Sequence, residues 1–137
     1  MNLRFIVITQ KTPDWLEAAG KEYEKRLTRY SKIKTVKVKS PEKAGKAIDA
    51  KSPLILIGRE GDLISSEALA DLITKAEVSG ISSVNILSGE GAEVFADRAD
   101  RIFSISPVNM NPDLVSVVTL EQIYRAYKII SGEKYHK

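Results

Sequence analysis

Apolar and polar positions along the chain alternate between two kinds of pattern, short continuous apolar runs and longer stretches with helical spacing. Leu3–Thr9 (LRFIVIT) is a β-rich apolar run, and Thr12-Pro13-Asp14 then offers a turn and a helix start before a helical pattern from Trp15 to Tyr30. Ile33–Lys39 alternates apolar and basic residues with period two, as a half-exposed strand does, and Pro41 opens a short helix through Ile48. Pro53–Ile57 (PLILI) is apolar without interruption, which suits a strand covered on both faces of a parallel sheet. Gly58–Ile64 reads as a polar loop, and Ser65 or Ser66 caps a helix that runs past Leu69, Leu72, Ile73 and Ala76 to a stop near Gly80. Val84–Leu87 is a fourth buried strand that ends at Ser88-Gly89-Glu90-Gly91. A short helix over 92–99 and a fifth strand at Ile102–Ile105 follow. This regular alternation predicts an α/β fold on a mainly parallel sheet, with ligands at the carboxyl ends of the strands.

The last helix departs from the usual amphipathic pattern. Asn111 stands at its N-cap and Pro112 at its first turn, and Leu114, Val115, Val117, Val118, Leu120, Ile123, Tyr124, Ala126, Tyr127, Ile129 and Ile130 occupy nearly its whole circumference. A terminal helix in a chain of this size ordinarily keeps one wet face. The pattern therefore predicts that its far side packs on a second subunit or is wrapped by the chain itself.

Composition narrows the picture modestly. The 137 residues form an ordinary length for one domain, and 43 % apolar content supplies a core without staples. With no cysteine, disulfides, thiolate metal sites and cysteine nucleophiles are excluded. No apolar run approaches the roughly 20 residues of a membrane span. Met1–Gln10 has no secretion-signal pattern, so a cytoplasmic location is expected. The net charge of +3 is unevenly spread: residues 1–50 hold 12 Lys/Arg against 6 Asp/Glu, and the remainder 9 against 12. An anionic partner such as RNA fits that basic half, although the solvated face of a strand accounts more simply for Lys32, Lys34, Lys37 and Lys39.

The C-terminal third carries a more specific signal. Phe103-Ser104-Ile105-Ser106, Leu120-Glu121-Gln122-Ile123-Tyr124-Arg125-Ala126 and the ending Gly132-Glu133-Lys134-Tyr135-His136-Lys137, together with Trp15 and Glu22-Tyr23-x-Lys25-Arg26, resemble the RlmH family of SPOUT-type methyltransferases over most of the chain. The resemblance implies one SPOUT domain over residues 1–137. Its parallel sheet would have five or six strands, its C-terminal segment would form a deep trefoil knot, and it would act as a homodimer. It implies methylation of a pseudouridine ring N3 in large-subunit ribosomal RNA, free or in the assembled ribosome, with S-adenosylmethionine as methyl donor and no metal. The alternative is a SPOUT-fold protein that binds RNA or a protein partner without this activity, or that methylates another RNA.

By position, the family's cofactor pocket falls on Ile57, Gly89, Ile105, Ser106, Pro107, Val108, Asn109 and Met110. Arg125, Tyr135 and His136 take the catalytic positions, and Tyr135, His136 and Lys137 those that meet the target nucleotide. A Gly-x-Gly at 89–91 by itself marks no more than a turn. The chain also differs from the family's usual pattern. Ser88-Gly89-Glu90-Gly91 is about three residues shorter than the usual loop, Ile57-Gly58 stands where Leu-Asp is usual, and Pro112 and Ser116 replace His and Arg. At this turn Glu90 would repel the cofactor's carboxylate.

Overall fold

A computed structural model describes residues 1–106, 108 and 110–133. Its elements follow in the order β1 (Asn2–Ile8), α1 (Asp14–Leu27), β2 (Lys32–Val38), α2 (Pro41–Ala47), β3 (Leu54–Leu63), α3 (Ser66–Val78) and β4 (Ser83–Gly89). A 3-10 turn (Ala92–Phe95), β5 (Arg101–Ser104) and α4 (Pro112–Ile130) complete them. The five strands form one parallel sheet in the order β2-β1-β4-β3-β5.

Both faces of the sheet are covered, which is why its central strands are apolar at consecutive positions. One core joins Leu3, Phe5 and Val7 to Leu27, Leu69, Ile73, Leu120, Ile123 and Tyr127, under α1, α3 and α4; the other joins Ile6, Ile8, Leu56 and Leu87 to Ala44 and Ala92, under α2 and the 3-10 turn. The connections that step toward β2 cross the first face and those that step toward β5 cross the second, as crossovers of a single hand require. Asn85 lies fully buried in β4. Its amide donates to the carbonyls of Asp49, Ser52 and Pro53, and its oxygen accepts from the Asp49 N–H, so the α2–β3 connection is wired through the centre of the sheet.

Helix starts follow local chemistry. Ser40 accepts from the Lys43 N–H, Ser65 from the Ala68 N–H and Asn111 from the Asp113 N–H, each satisfying a donor that the first helical turn leaves without a partner. Three boundaries differ from the sequence reading. α1 ends at Leu27, where Thr28 caps it, instead of running on to Tyr30. The helix expected over 92–99 is regular only as a 3-10 turn over Ala92–Phe95. The stretch read as a polar loop, 58–64, instead extends β3 to Leu63. It does so through an irregularity, because both Ile57 and Asp62 pair with Phe103. Gly61 permits this: a Cβ there would lie 2.5 Å from the Ile102 carbonyl oxygen, so only a residue without one lets the two backbones come so close.

α4 packs on α1, α3, β4 and β1. The chain therefore leaves the sheet's edge at β5 and is back over its centre by α4. Within the single chain α4 buries Ser116, Leu120, Ile123, Tyr124, Ala126 and Tyr127, while Leu114, Val117 and Val118 stay half-exposed and belong to neither core. Among the described residues no helix is long and apolar enough to cross a membrane.

Candidate functional site

β3 and β4 pair only as far as Leu56 and Leu87, and a crevice opens beyond, between the bend of β3 and the end of β4. A cavity of about 450 Å³ occupies it. That is within the range of roughly 300–1,000 Å³ usual for small-molecule and cofactor sites. Ile57 and Gly58 at the bend of β3, Gly89 at the end of β4, and Ile105, Ser106, Val108 and Met110 of the returning segment line it, with Pro112 and Val115 from the first turns of α4. Of the eight pocket positions expected from the sequence, Ile57, Gly89, Ile105, Ser106, Val108 and Met110 thus come together around one space. Pro107 and Asn109 lie outside the described residues.

Three anchors shape this cavity. At Gly89 φ is +114°, and a Cβ would fall 2.2 Å from the Ile8 carbonyl oxygen, the same oxygen that accepts the Glu90 N–H at 2.9 Å. The turn is therefore drawn tightly over the end of β1. In the returning segment, the Ser104 hydroxyl donates to the Ser106 carbonyl at 3.0 Å and the Ser106 hydroxyl accepts from the Val108 N–H at 3.0 Å, which curls the loop against the cavity. Finally, the Asp113 carboxylate, 2 % exposed, accepts hydrogen bonds from the Thr9 hydroxyl at 3.0 Å and the Thr12 hydroxyl at 2.7 Å. The Lys37 ammonium in turn donates to Thr12 Oγ1 at 3.0 Å. This network fastens the start of α4, and with it one wall of the cavity, to the end of β1.

The lining is mixed in character. Ile57, Ile105, Val108, Met110 and Val115 offer an apolar surface on which a purine ring can rest. Three charged side chains complete it: Arg59, Glu90 and Glu93. The Glu90 carboxylate accepts from Gln10 Nε2 at 3.2 Å, and the same nitrogen donates to the Lys39 carbonyl at 2.9 Å, so the carboxylate is oriented from β1. Among the described residues, no three His, Cys, Asp or Glu side chains are grouped as metal ligands.

Arg125 does not line the cavity. Farther along α4, its guanidinium meets Glu121 at 2.7 Å and 3.1 Å. Tyr135, His136 and Lys137 lie outside the described residues. The sequence reading missed Arg59 and Glu93 as cavity residues, and it missed the Thr9–Thr12–Asp113 network. The position of Arg59 two residues beyond the apolar run of β3 was the available signal for the first. Nothing local links Thr9 to a residue 104 positions later.

Comparison with known proteins adds the following. A family model described as "Predicted SPOUT methyltransferase" matches residues 1–136. The ribosomal RNA large subunit methyltransferase H 1 of Thermoanaerobacter sp. (strain X514) is 36 % identical over 137 residues, covering 100 % of both chains. The ribosomal RNA large subunit methyltransferase H proteins of Alkaliphilus oremlandii (strain OhILAs), 33 % identical over 159 residues with 100 % of both chains covered, and of Geobacter metallireducens (strain ATCC 53774 / DSM 7210 / GS-15), 29 % identical over 153 residues with 99 % of both covered, are similar as well.

Proposed function

Because the chain belongs to the SPOUT methyltransferase family, we propose that it methylates ring N3 of a pseudouridine in large-subunit ribosomal RNA, with S-adenosylmethionine bound in the cavity at the ends of β3 and β4. The observation that carries this reading is the convergence of Ile57, Gly89, Ile105, Ser106, Val108 and Met110 on one cavity of suitable size, in a chain alike over its whole length to proteins named as rRNA methyltransferases. The residues present suit the cofactor. The apolar wall fits an adenine, backbone groups at Gly89 and Ser106 fit its polar edge, and Arg59 fits a carboxylate. On this reading Arg59 offsets the repulsion expected from Glu90.

S-adenosylmethionine supplies a methyl group on a sulfonium that departs as a neutral thioether. The protein's task is then mainly alignment and exclusion of water, because the leaving group needs no acid to help it. Transfer to N3 would form the N3–CH₃ bond as the S–CH₃ bond broke, and the N3 proton would pass to a base. Tyr135 would stack on the target base, His136 would take the proton, and Lys137 and Arg125 would hold phosphate. Since Arg125 lies away from its own chain's cavity, it would serve the cavity of a second copy. The half-exposed Leu114, Val117 and Val118 of α4 support such a homodimer. The same reading takes residues 1–137 as one SPOUT domain in the cytoplasm. On this reading the chain beyond β5 would form the family's trefoil knot.

Two measurements test it. Calorimetric titration of the purified protein with S-adenosylmethionine is expected to show one site per chain. Mass spectrometry of ribosomal RNA from cells lacking the gene is expected to show the loss of one methylated pseudouridine. Binding without any loss of rRNA methylation would point to the alternative, a SPOUT-fold protein that acts on another RNA or only binds one. Absence of binding would sink the cofactor site.

A further inference from the structure

The cavity's charged residues are more specific than the proposed chemistry requires. Two carboxylates and one guanidinium face it, and of the two carboxylates Glu90 is the one held in place. Its backbone N–H is bonded to the Ile8 carbonyl at 2.9 Å, and its side chain accepts from a Gln10 amide that is itself anchored on the Lys39 carbonyl. A carboxylate oriented at the mouth of a partly apolar cavity favours a cation inside it. The proposed donor and its product differ there in one respect besides the methyl group: the donor's sulfur is a sulfonium carrying a positive charge, and the product's sulfur is a neutral thioether.

We propose that Glu90, oriented by Gln10, is a specificity-determining residue that favours the cationic methyl donor over the neutral product, so that discharge of the sulfonium itself loosens the spent cofactor. This rests on the reading of the cavity as the S-adenosylmethionine site. Arg59 provides for the amino-acid carboxylate, which donor and product share, so its contribution cancels between them. Glu90 acts on the charge that they do not share. For a solvent-facing carboxylate at cavity distances, Coulomb attraction in a dielectric near that of water amounts to about a threefold to tenfold preference. Salt weakens it, since the group stands at the surface.

The test measures dissociation constants by calorimetry for S-adenosylmethionine, S-adenosylhomocysteine and sinefungin, in which an amine-bearing carbon replaces the methylsulfonium. Sinefungin separates charge from the methyl group. The parent protein and Glu90→Gln are compared at low and high NaCl. The substitution is isosteric, and its oxygen still accepts from Gln10, so the turn is retained; circular dichroism checks this. In the parent both cationic ligands are expected to bind more tightly than the thioether. In Glu90→Gln that advantage is expected to shrink by about threefold to tenfold for both, through weaker binding of the cations. Gln10→Leu, which frees the carboxylate, is expected to shrink it partway. An unchanged ratio in a folded Glu90→Gln overturns this inference and leaves the cofactor reading intact. A change for S-adenosylmethionine but not for sinefungin overturns it too, because the methyl group and not the charge would then be sensed. Failure of the parent to bind any of the three overturns both.

Discussion

Replacing Asp113 by alanine tests whether the start of α4 is held by its buried carboxylate. The side chain is 2 % exposed and accepts hydrogen bonds from Thr9 at 3.0 Å and Thr12 at 2.7 Å. Hydrogen bonds to a charged group contribute about 1.5–3 kcal/mol each. A carboxylate in the first turn of a helix adds about 0.3–1 kcal/mol through the helix dipole. The loss is not the full sum, because alanine no longer has to be desolvated as an ion. Half-exposed Thr12 can turn to water or keep Lys37, whereas Thr9, 6 % exposed, is left with a stranded hydroxyl. Together these give a destabilisation of about 2–4 kcal/mol, or a melting temperature lower by roughly 10 °C for a chain of this size. Urea unfolding followed by circular dichroism, at one fixed protein concentration, gives the free energy. A cycle with Thr9→Val isolates the pair and should give a coupling of about 1 kcal/mol or more. The reasoning is refuted if Asp113→Ala unfolds within about 0.5 kcal/mol of the parent, or if the cycle shows no coupling. Because Pro112 and Val115 form a wall of the cavity, the same variant should also bind S-adenosylmethionine more weakly.

Four other outcomes are expected. Gly89→Ala would force a Cβ to within 2.2 Å of the Ile8 carbonyl oxygen at a φ of +114°, so it should cost more than about 3 kcal/mol and abolish cofactor binding, as read by thermal melting and titration. Its neighbour Ser88→Ala should leave the melting temperature nearly unchanged, since Ser88 Oγ has no hydrogen-bond partner among the described residues. Asn85→Ala would leave the Asp49 N–H and the Ser52 carbonyl of the part-buried α2–β3 connection without their partner, while the Asp49 and Pro53 carbonyls keep the Ser52 and Asn85 backbone N–H groups; the expected loss is about 2–3 kcal/mol in urea unfolding. At the other end of the molecule, Glu133 takes hydrogen bonds from Lys128 at 2.6 Å and Tyr30 at 2.7 Å, which hold its carboxyl down to about 2 from an ordinary 4.5. The tie this makes between α4 and the end of α1 is fully present above pH 4.5 and is lost as pH falls toward 2. The gap in urea midpoint between the parent and Glu133→Gln should therefore close over that window, and a gap that stays constant would exclude this role.

How far the sequence revealed the molecule depends on the range of the interaction involved. The apolar run at Leu54–Ile57 and the mainly apolar Val84–Leu87 were legible as strands because both faces of the sheet are covered, and Ser65, Asn111 and Pro112 marked helix starts because capping is chemistry between near neighbours. The outer half of β3 was not legible. Its residues are polar, and what extends the strand is a backbone approach to Ile102 and Phe103 that only the absence of a side chain at Gly61 permits. At the site, Ile57, Gly89, Ile105, Ser106, Val108 and Met110, which line one cavity, were expected through likeness to a family. Glu90 was seen only as a repulsive charge, because neither Arg59 across the cavity nor the amide of Gln10 is near it in sequence. Periodicity tells which face of an element is buried, not which other element covers it.

The placement of α4 has a consequence for how the chain is made. α1 shares its buried face with a helix whose last turn lies about 100 residues later, and β1 cannot have both its neighbours until β4 exists. At synthesis rates of about 5–20 residues per second, Leu27 and Tyr23 wait roughly 5–20 s for Leu120, Tyr124 and Tyr127 to arrive. Over that interval the emerging chain presents the apolar stripe of α1 and an open sheet edge, so it should be a transient client of the chaperones that guard new chains. A premature stop before residue 113 should yield an insoluble product, not a smaller version of the protein.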